Sequence, residues 1–384
     1  MHKRLNSRTA LLLAVAMMVG CSDSNNGGLA PFPVTPDFSA ADASLEAFVA
    51  QQPAFSGASL IIVDKRAGVV HRHLVGDHTD DTVILLASTS KVPAASLLMA
   101  LAEDDDNVDF EIDRVIDDYL PYTGVWPGRT TEQLLSNTSG IPGLAQIGGY
   151  GDHLCQYVPV GQLQDCGQII YQTPLPDLVS TPPGTNFDYG GSQWQLAGTV
   201  AEIVGGGTWN QLFDQYIGQP CGLEVFAFGN NLATSAEWTG DPSALVGLEN
   251  PNIEGGAMSN IDDYARILDL HLNDGLCGEN RVLSPEAVAF MRIDRATPTG
   301  SVDEGGSGYG MGWWIPPPAA GATEASLFID PGAFGAVAWI DTERGYGALL
   351  AVQSPTLAEG SIGSGYASSQ LIPLVTEAFD AARQ

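Results

Sequence analysis

Ser88 and Lys91 lie three residues apart in Ala87-Ser88-Thr89-Ser90-Lys91, directly after an apolar run and at the opening of a helix-like stretch. Three residues along a helix brings both side chains to one face. There an amine can take the hydroxyl proton while the oxygen attacks an acyl carbon. Leu85, Leu86, Val92 and Leu97 surround the lysine in sequence, and partial burial among them lowers an amine's pKa toward the range in which it accepts protons. Beyond the first few residues the chain has only two lysines, Lys65 and Lys91. A serine three residues ahead of either arises by chance roughly one time in seven. The chemistry this pair suggests is acyl transfer through a serine ester. The chain has no Gly-x-Ser-x-Gly elbow, P-loop or dinucleotide fingerprint, which leaves Ser88 as the preferred nucleophile.

Periodicity predicts the strands and helices that hold this pair in place. Residues 57–64 and 69–75 are β-rich runs around Lys65-Arg66-Ala67-Gly68, which predicts a hairpin. Residues 328–329, 335–340 and 347–352 predict further strands, and 365–382 a last helix. Between these ends, 93–102, 131–136, 194–204, 209–217 and 262–273 are mostly helix-like and joined by Gly/Pro-rich loops. The pattern predicts an α+β fold: an antiparallel β-sheet flanked by N- and C-terminal helices, with a largely helical inserted domain. Residues 37–100 and 301–384 are expected to form the α/β sheet lobe and 101–300 the mainly helical lobe. His71 and His73 are expected on a solvent-facing strand. The acids at 103–111 lack EF-hand spacing and read as a solvated turn.

Among the 384 residues, 15 Lys and Arg face 45 Asp and Glu, a formal charge of −30. Losing a leader that holds Lys3, Arg4 and Arg8 makes the balance more negative still, which excludes nucleic-acid binding by phosphate neutralisation. A hydrophobic content of 44% excludes a disordered chain. Residues 1–20 read as a signal peptide, a basic start followed by an apolar stretch from Ala10 to Val19. That stretch is about half the ~20 residues needed to span a bilayer. Met18-Val19-Gly20-Cys21 resembles a bacterial lipobox, so Cys21 is the expected lipidation site and 21–36 a lipid-anchored flexible tether. The chain is therefore expected to be exported and held in the cell envelope, periplasmic or on the outer face of a bacterial membrane. The remaining Cys155, Cys166, Cys221 and Cys277 are an even set, expected as disulfides Cys155–Cys166 and Cys221–Cys277 rather than metal ligands.

From here the chain resembles the serine β-lactamase and penicillin-binding-protein superfamily, most closely its class C-like esterase and peptidase branch, across most of residues 45–380. Leu134-Leu135-Ser136-Asn137-Thr138-Ser139-Gly140-Ile141-Pro142-Gly143 is similar to the family segment LLTHTSGLPG, and Pro183-Gly184-Thr185-Asn186-Phe187-Asp188-Tyr189 to PGTxFxYSN. Residues 254–266, starting Glu254-Gly255-Gly256-Ala257, are similar to AGGLxSTxxDxxRF, and Tyr309-Gly310-Met311-Gly312-Trp313 to YGLGW. The resemblance implies that Tyr189 joins Ser88 and Lys91 in a proton relay and later protonates the leaving group. It implies an oxyanion hole from the backbone N–H groups of Ser88 and Ala333, with Gly191, Asp330 and Gly332 against the substrate.

Two departures stand out. Gly191 replaces the family's asparagine two residues after the tyrosine, with Ser192 or Gln193 as candidate substitutes. Asp330-Pro331-Gly332 replaces the family's Lys-Thr-Gly or His-x-Gly, on what reads as an edge strand. An acid at the cleft disfavours the carboxylate-bearing substrates of β-lactamases and D-alanyl peptidases, so an esterase on neutral short-chain substrates is expected. The implied chemistry uses a small-molecule ester or amide and requires neither metal nor organic cofactor. A catalytically weak peptidoglycan or peptide binder is the rival expectation.

Overall fold

The computed structural model describes residues 34–383 apart from 145–150, 176–179, 231–237, 239, 245–246, 302–305 and 355–356; Cys21, with the expected leader and most of the expected tether, lies outside the described residues. The elements run α1 Ser39–Gln51, β1 Gly57–Asp64, β2 Gly68–Gly76, β3 Ile84–Leu85 and α2 Lys91–Ala102, with a 3₁₀ turn Ala87–Ser90 leading into α2. Then come α3 Thr131–Leu135, a 3₁₀ segment Gly151–Tyr157, α4 Leu163–Gln172, α5 Gly191–Gly205, α6 Trp209–Phe213 and α7 Gln219–Cys221. They are followed by β4 Ala227–Phe228, β5 Ala257–Ser259, α8 Ile261–Leu272, β6 Leu276–Cys277, β7 Asn280–Arg281 and α9 Pro285–Met291. The chain closes with β8 Gly308–Tyr309, β9 Trp314–Ile315, β10 Leu327–Pro331, β11 Val337–Asp341, β12 Tyr346–Ala351, α10 Leu357–Tyr366 and α11 Ile372–Ala382.

One seven-stranded antiparallel sheet, ordered β2-β1-β12-β11-β10-β9-β8, draws its strands from both ends of the chain. This is the expected α+β sheet with helices between. β1 is buried along its whole length because the sheet is covered on both faces. Leu60 and Ile62 pack with Leu45 of α1 and Phe379 of α11, while Ile61 and Val63 join the core under α2 and α8. The β1–β2 turn is closed by Asp64, whose Oδ1 accepts from the N–H groups of Arg66 at 2.9 Å and Ala67 at 3.0 Å.

Three expectations change. Helix α8, counted with the helical lobe, packs on the sheet, with Leu268 against the bare backbone of Gly347 in β12. His71 and His73 face α1 instead of open solvent, and His71 Nε2 lies 2.7 Å from Asp42 Oδ1. β10 is not an edge strand. It lies between β11 and β9, but pairs with β9 only at Ile329–Trp314, so Pro331 beyond that pair has no ladder bond to donate on the open side.

Both disulfides pair as expected, Cys155–Cys166 and Cys221–Cys277. The first ties the 3₁₀ segment at 151–157 to α4, the second ties α7 to the β6–β7 hairpin. They close spans of 11 and 56 residues, for which loop entropy suggests up to about 3 and about 4 kcal/mol respectively. Replacing Cys221 and Cys277 together by alanine is therefore expected to lower unfolding stability more than replacing Cys155 and Cys166. Urea unfolding with equal or reversed losses would count against this ordering.

Candidate active site

Helix α2 is buried over almost its whole length, so it forms a fixed post in the core, and its first turn carries the chemistry. Ala87 adopts φ +46° just before Ser88, a left-handed conformation that alanine rarely tolerates and that surrounding structure must hold. Thr89 Oγ1 donates to the Asp330 carbonyl at 3.0 Å, and the Tyr264 hydroxyl to the Thr89 carbonyl at 3.0 Å. These bonds clamp the turn between β10 and α8. Ser88 is thereby presented half-exposed to a cleft.

Beneath it, Lys91 is fully buried. Its Nζ donates to Ser88 Oγ at 3.1 Å and to the Glu254 carbonyl at 2.9 Å, with Glu254 Oε2 at 3.4 Å. It also lies 4.7 Å from the centre of the Tyr189 ring. Burial pulls the Lys91 ammonium down, but the charges of Tyr189 and Glu254, the hydrogen bond to Tyr189 and the charge of Asp330 outweigh it and leave the amine above its ordinary value. That differs from the lowered value expected from apolar neighbours alone. Burial pushes the Tyr189 phenol up, while Lys91 and Ser88 pull it back. Ser88, Lys91 and Tyr189 are thus brought into one hydrogen-bonded cluster.

Tyr189 is held by aromatic packing and by Asn137. Its ring stacks on Trp314 at 5.3 Å and meets Tyr309 edge-on at 5.8 Å. Asn137, at φ +57°, accepts through one oxygen from Gly190 N–H, Gln193 Nε2 and Trp194 Nε1 at 3.3, 3.1 and 3.2 Å. Asparagine suits that position because it tolerates left-handed backbone and offers an amide. Neither expected substitute for the missing asparagine reaches Lys91. Ser192 Oγ pairs with His153 Nδ1, and Gln193 with Ser139, Asn137 and the Asp188 carbonyl. Gly191 is buried and does not line the cleft; a Cβ there would sit 2.1 Å from Glu254 Oε1.

The strand contributes as its alternation dictates. Ile329 and Pro331 face the cleft with exposed Ala333, whereas Asp330 points inward and is 1% exposed, its Oδ2 accepting from Val92 N–H at 3.3 Å. This corrects the expectation that the carboxylate meets substrate. Burial pushes the Asp330 carboxyl well above the usual range, against the pull of Lys91 and the Val92 N–H. Gly332 is required, since a Cβ would lie 2.1 Å from the Leu86 carbonyl. The cleft measures about 770 Å³ and is lined by Ser88, Tyr189, Leu144, Trp314, Leu327 and Ile329 among others, with no charged side chain among its described lining residues. The described residues hold no group of His, Cys, Asp and Glu able to bind a metal ion.

Fold and cluster together define the class of β-lactamase-fold serine hydrolases. The family model described as Beta-lactamase matches residues 45–367, and the chain belongs to that family. It is 27% identical over 309 residues to Penicillin-binding protein 4 of Amycolatopsis lactamdurans, covering 73% of this chain and 77% of the relative. Among solved structures it shares its fold with EstCE1, a hydrolase with promiscuous acyltransferase activity, at TM-score 0.70 and 19% identity over 88% of this chain and 98% of that one. It also matches the octameric penicillin-binding protein homologue from Pyrococcus abyssi, at TM-score 0.66 and 20% identity over 88% and 78%.

Proposed function

We propose that the chain is an exported, lipid-anchored serine hydrolase that cleaves neutral, apolar esters through a Ser88 acyl-enzyme. The observation that carries the substrate class is the largely apolar lining of the cleft above Ser88, with no charged side chain among its described residues. A substrate carboxylate would find no cation there among the described residues, and desolvating it unpaired is costly. The leader-like start, Cys21 and the two disulfides support export to an oxidising envelope compartment.

In this reading the Lys91 amine, neutral when it reacts, takes the Ser88 hydroxyl proton as Oγ bonds to the ester carbonyl carbon. The resulting oxyanion is held by the N–H groups of Ser88 and Ala333. Tyr189 supplies a proton to the departing alkoxide and regains one through Lys91, so the C–O bond breaks to give the free alcohol and a Ser88 ester. Water, deprotonated by the same pair, then releases the acid and restores Ser88. Because Lys91 sits above its ordinary pKa, kcat/KM should rise toward alkaline pH.

The test sets p-nitrophenyl butyrate against a chromogenic cephalosporin and a D-Ala-D-Ala peptide. The ester is expected to have the higher kcat/KM by about tenfold or more, the value of a single favourable contact to charge. Equal or faster cephalosporin turnover would transfer the assignment to the β-lactamase or peptidase reading that the penicillin-binding relative suggests. Failure of a fluorophosphonate probe to add mass at Ser88 would favour a binding protein.

A further inference from the structure

Glu254 enters the cluster from the segment before β5, 163 residues from Lys91 in sequence. It is 8% exposed and holds Lys91 twice, through its backbone carbonyl at 2.9 Å and its carboxylate at 3.4 Å. Its other oxygen, Oε1, accepts from the Tyr157 hydroxyl at 2.5 Å. Tyr157 ends the 3₁₀ segment that the Cys155–Cys166 bridge ties to α4. The carboxylate fills the space in front of Gly191 so fully that no larger residue fits beside it. A buried carboxylate beside a buried ammonium is costly to build, and here a tyrosine from a third element fixes its geometry.

Resting on the Ser88 reading above, we propose that Glu254 is the positioning residue that aims Lys91 at Ser88, with Tyr157 as its brace. The geometry assigns to it the anchoring that a side chain at 191 would otherwise occupy space to provide. The groups facing the carboxylate are Lys91 from α2, Tyr189 just before α5, Gly191 at its start, and Tyr157 from the 3₁₀ segment; Tyr309 on β8 also feels its charge, and Asp330 on β10 acts on the same ammonium. Two effects follow from one residue: orientation, which a neutral isostere keeps in part, and charge, which it does not.

The test compares Glu254→Ala and Glu254→Gln in the whole chain on p-nitrophenyl butyrate. Glu254→Ala is expected to lower kcat about tenfold or more with KM changed less than about threefold, and Glu254→Gln to recover part of the loss. Removing the carboxylate charge removes one cause that raises the Lys91 pKa, so the limb on which kcat/KM rises with pH should move to lower pH in Glu254→Gln. Gly191→Asn alone should lose activity through collision with Glu254. Combined with Glu254→Ala it gains room for an amide oxygen near Lys91, once the unpaired Gln156 Oε1 swings aside, and should regain part of the lost rate. Variants that label fully with a fluorophosphonate yet keep parental kcat and an unmoved pH profile would overturn the role of Glu254 alone. A parent chain that does not label at all would remove the functional reading and this inference with it. If Glu254→Ala fails to fold, the Glu254→Gln pH profile decides by the same criterion.

Discussion

Ser88→Ala and Lys91→Met are each expected to reduce ester turnover by about 10⁴-fold or more, and the double variant to be no worse than either alone. The argument rests on the 3.1 Å contact between Lys91 Nζ and Ser88 Oγ. A nucleophile and its proton acceptor act as a unit, so losing one leaves nothing for the other to do. Ser88 is half-exposed, and removing its hydroxyl opens no cavity, so Ser88→Ala should unfold at the parental temperature. Lys91 differs, being wholly buried and bonded to Glu254. Methionine keeps most of its volume, but leaves the Glu254 carboxylate without its ammonium at about 3–5 kcal/mol. Far-UV circular dichroism and a thermal melt separate that loss from the kinetic one. A parental rate in Ser88→Ala would reject the site.

How much of this was legible before the structure depends on the range of the interaction. Ser88 and Lys91 are readable because three-residue spacing on a helix fixes their juxtaposition locally. The β1–β2 hairpin was likewise readable, since its turn is closed by Asp64 within three residues. Tyr189 required the family resemblance, because nothing local distinguishes it from a packing tyrosine. Glu254 was not singled out by the sequence, where it only opens a segment similar to the family's. Its meeting with Lys91 across 163 residues is a tertiary fact. Asn137 was hidden in the same way, its three bonds going to residues 53 to 57 positions distant. Asp330 was misplaced for a simpler reason. Its position in the strand was right, but the pleat sends neighbouring side chains to opposite faces, and the phase of that alternation is set by packing against α2.

That phase yields the second large effect. Were Asp330 at the cleft wall, Asp330→Lys would install a cation for anionic substrates and raise cephalosporin turnover. The structure puts it instead under the strand, 1% exposed, hydrogen-bonded to the Val92 N–H in the first turn of α2 and within electrostatic reach of Lys91. A lysine there would place a second ammonium in a compartment that already buries one, remove the acceptor for Val92, and add length where no space is open. Uncompensated buried charge typically costs about 3–5 kcal/mol, a fall in melting temperature of about 4–7 °C for a chain this size. Asp330→Asn keeps an oxygen for the Val92 N–H and removes only the charge, which burial already disfavours in the folded state. It should therefore melt within about a degree or two of the parent. The pair of variants thus separates the two placements. A well-folded Asp330→Lys protein with parental melting temperature and improved cephalosporin turnover would put the side chain back at the cleft, whereas a destabilised lysine variant beside a stable asparagine variant would fix it beneath the strand.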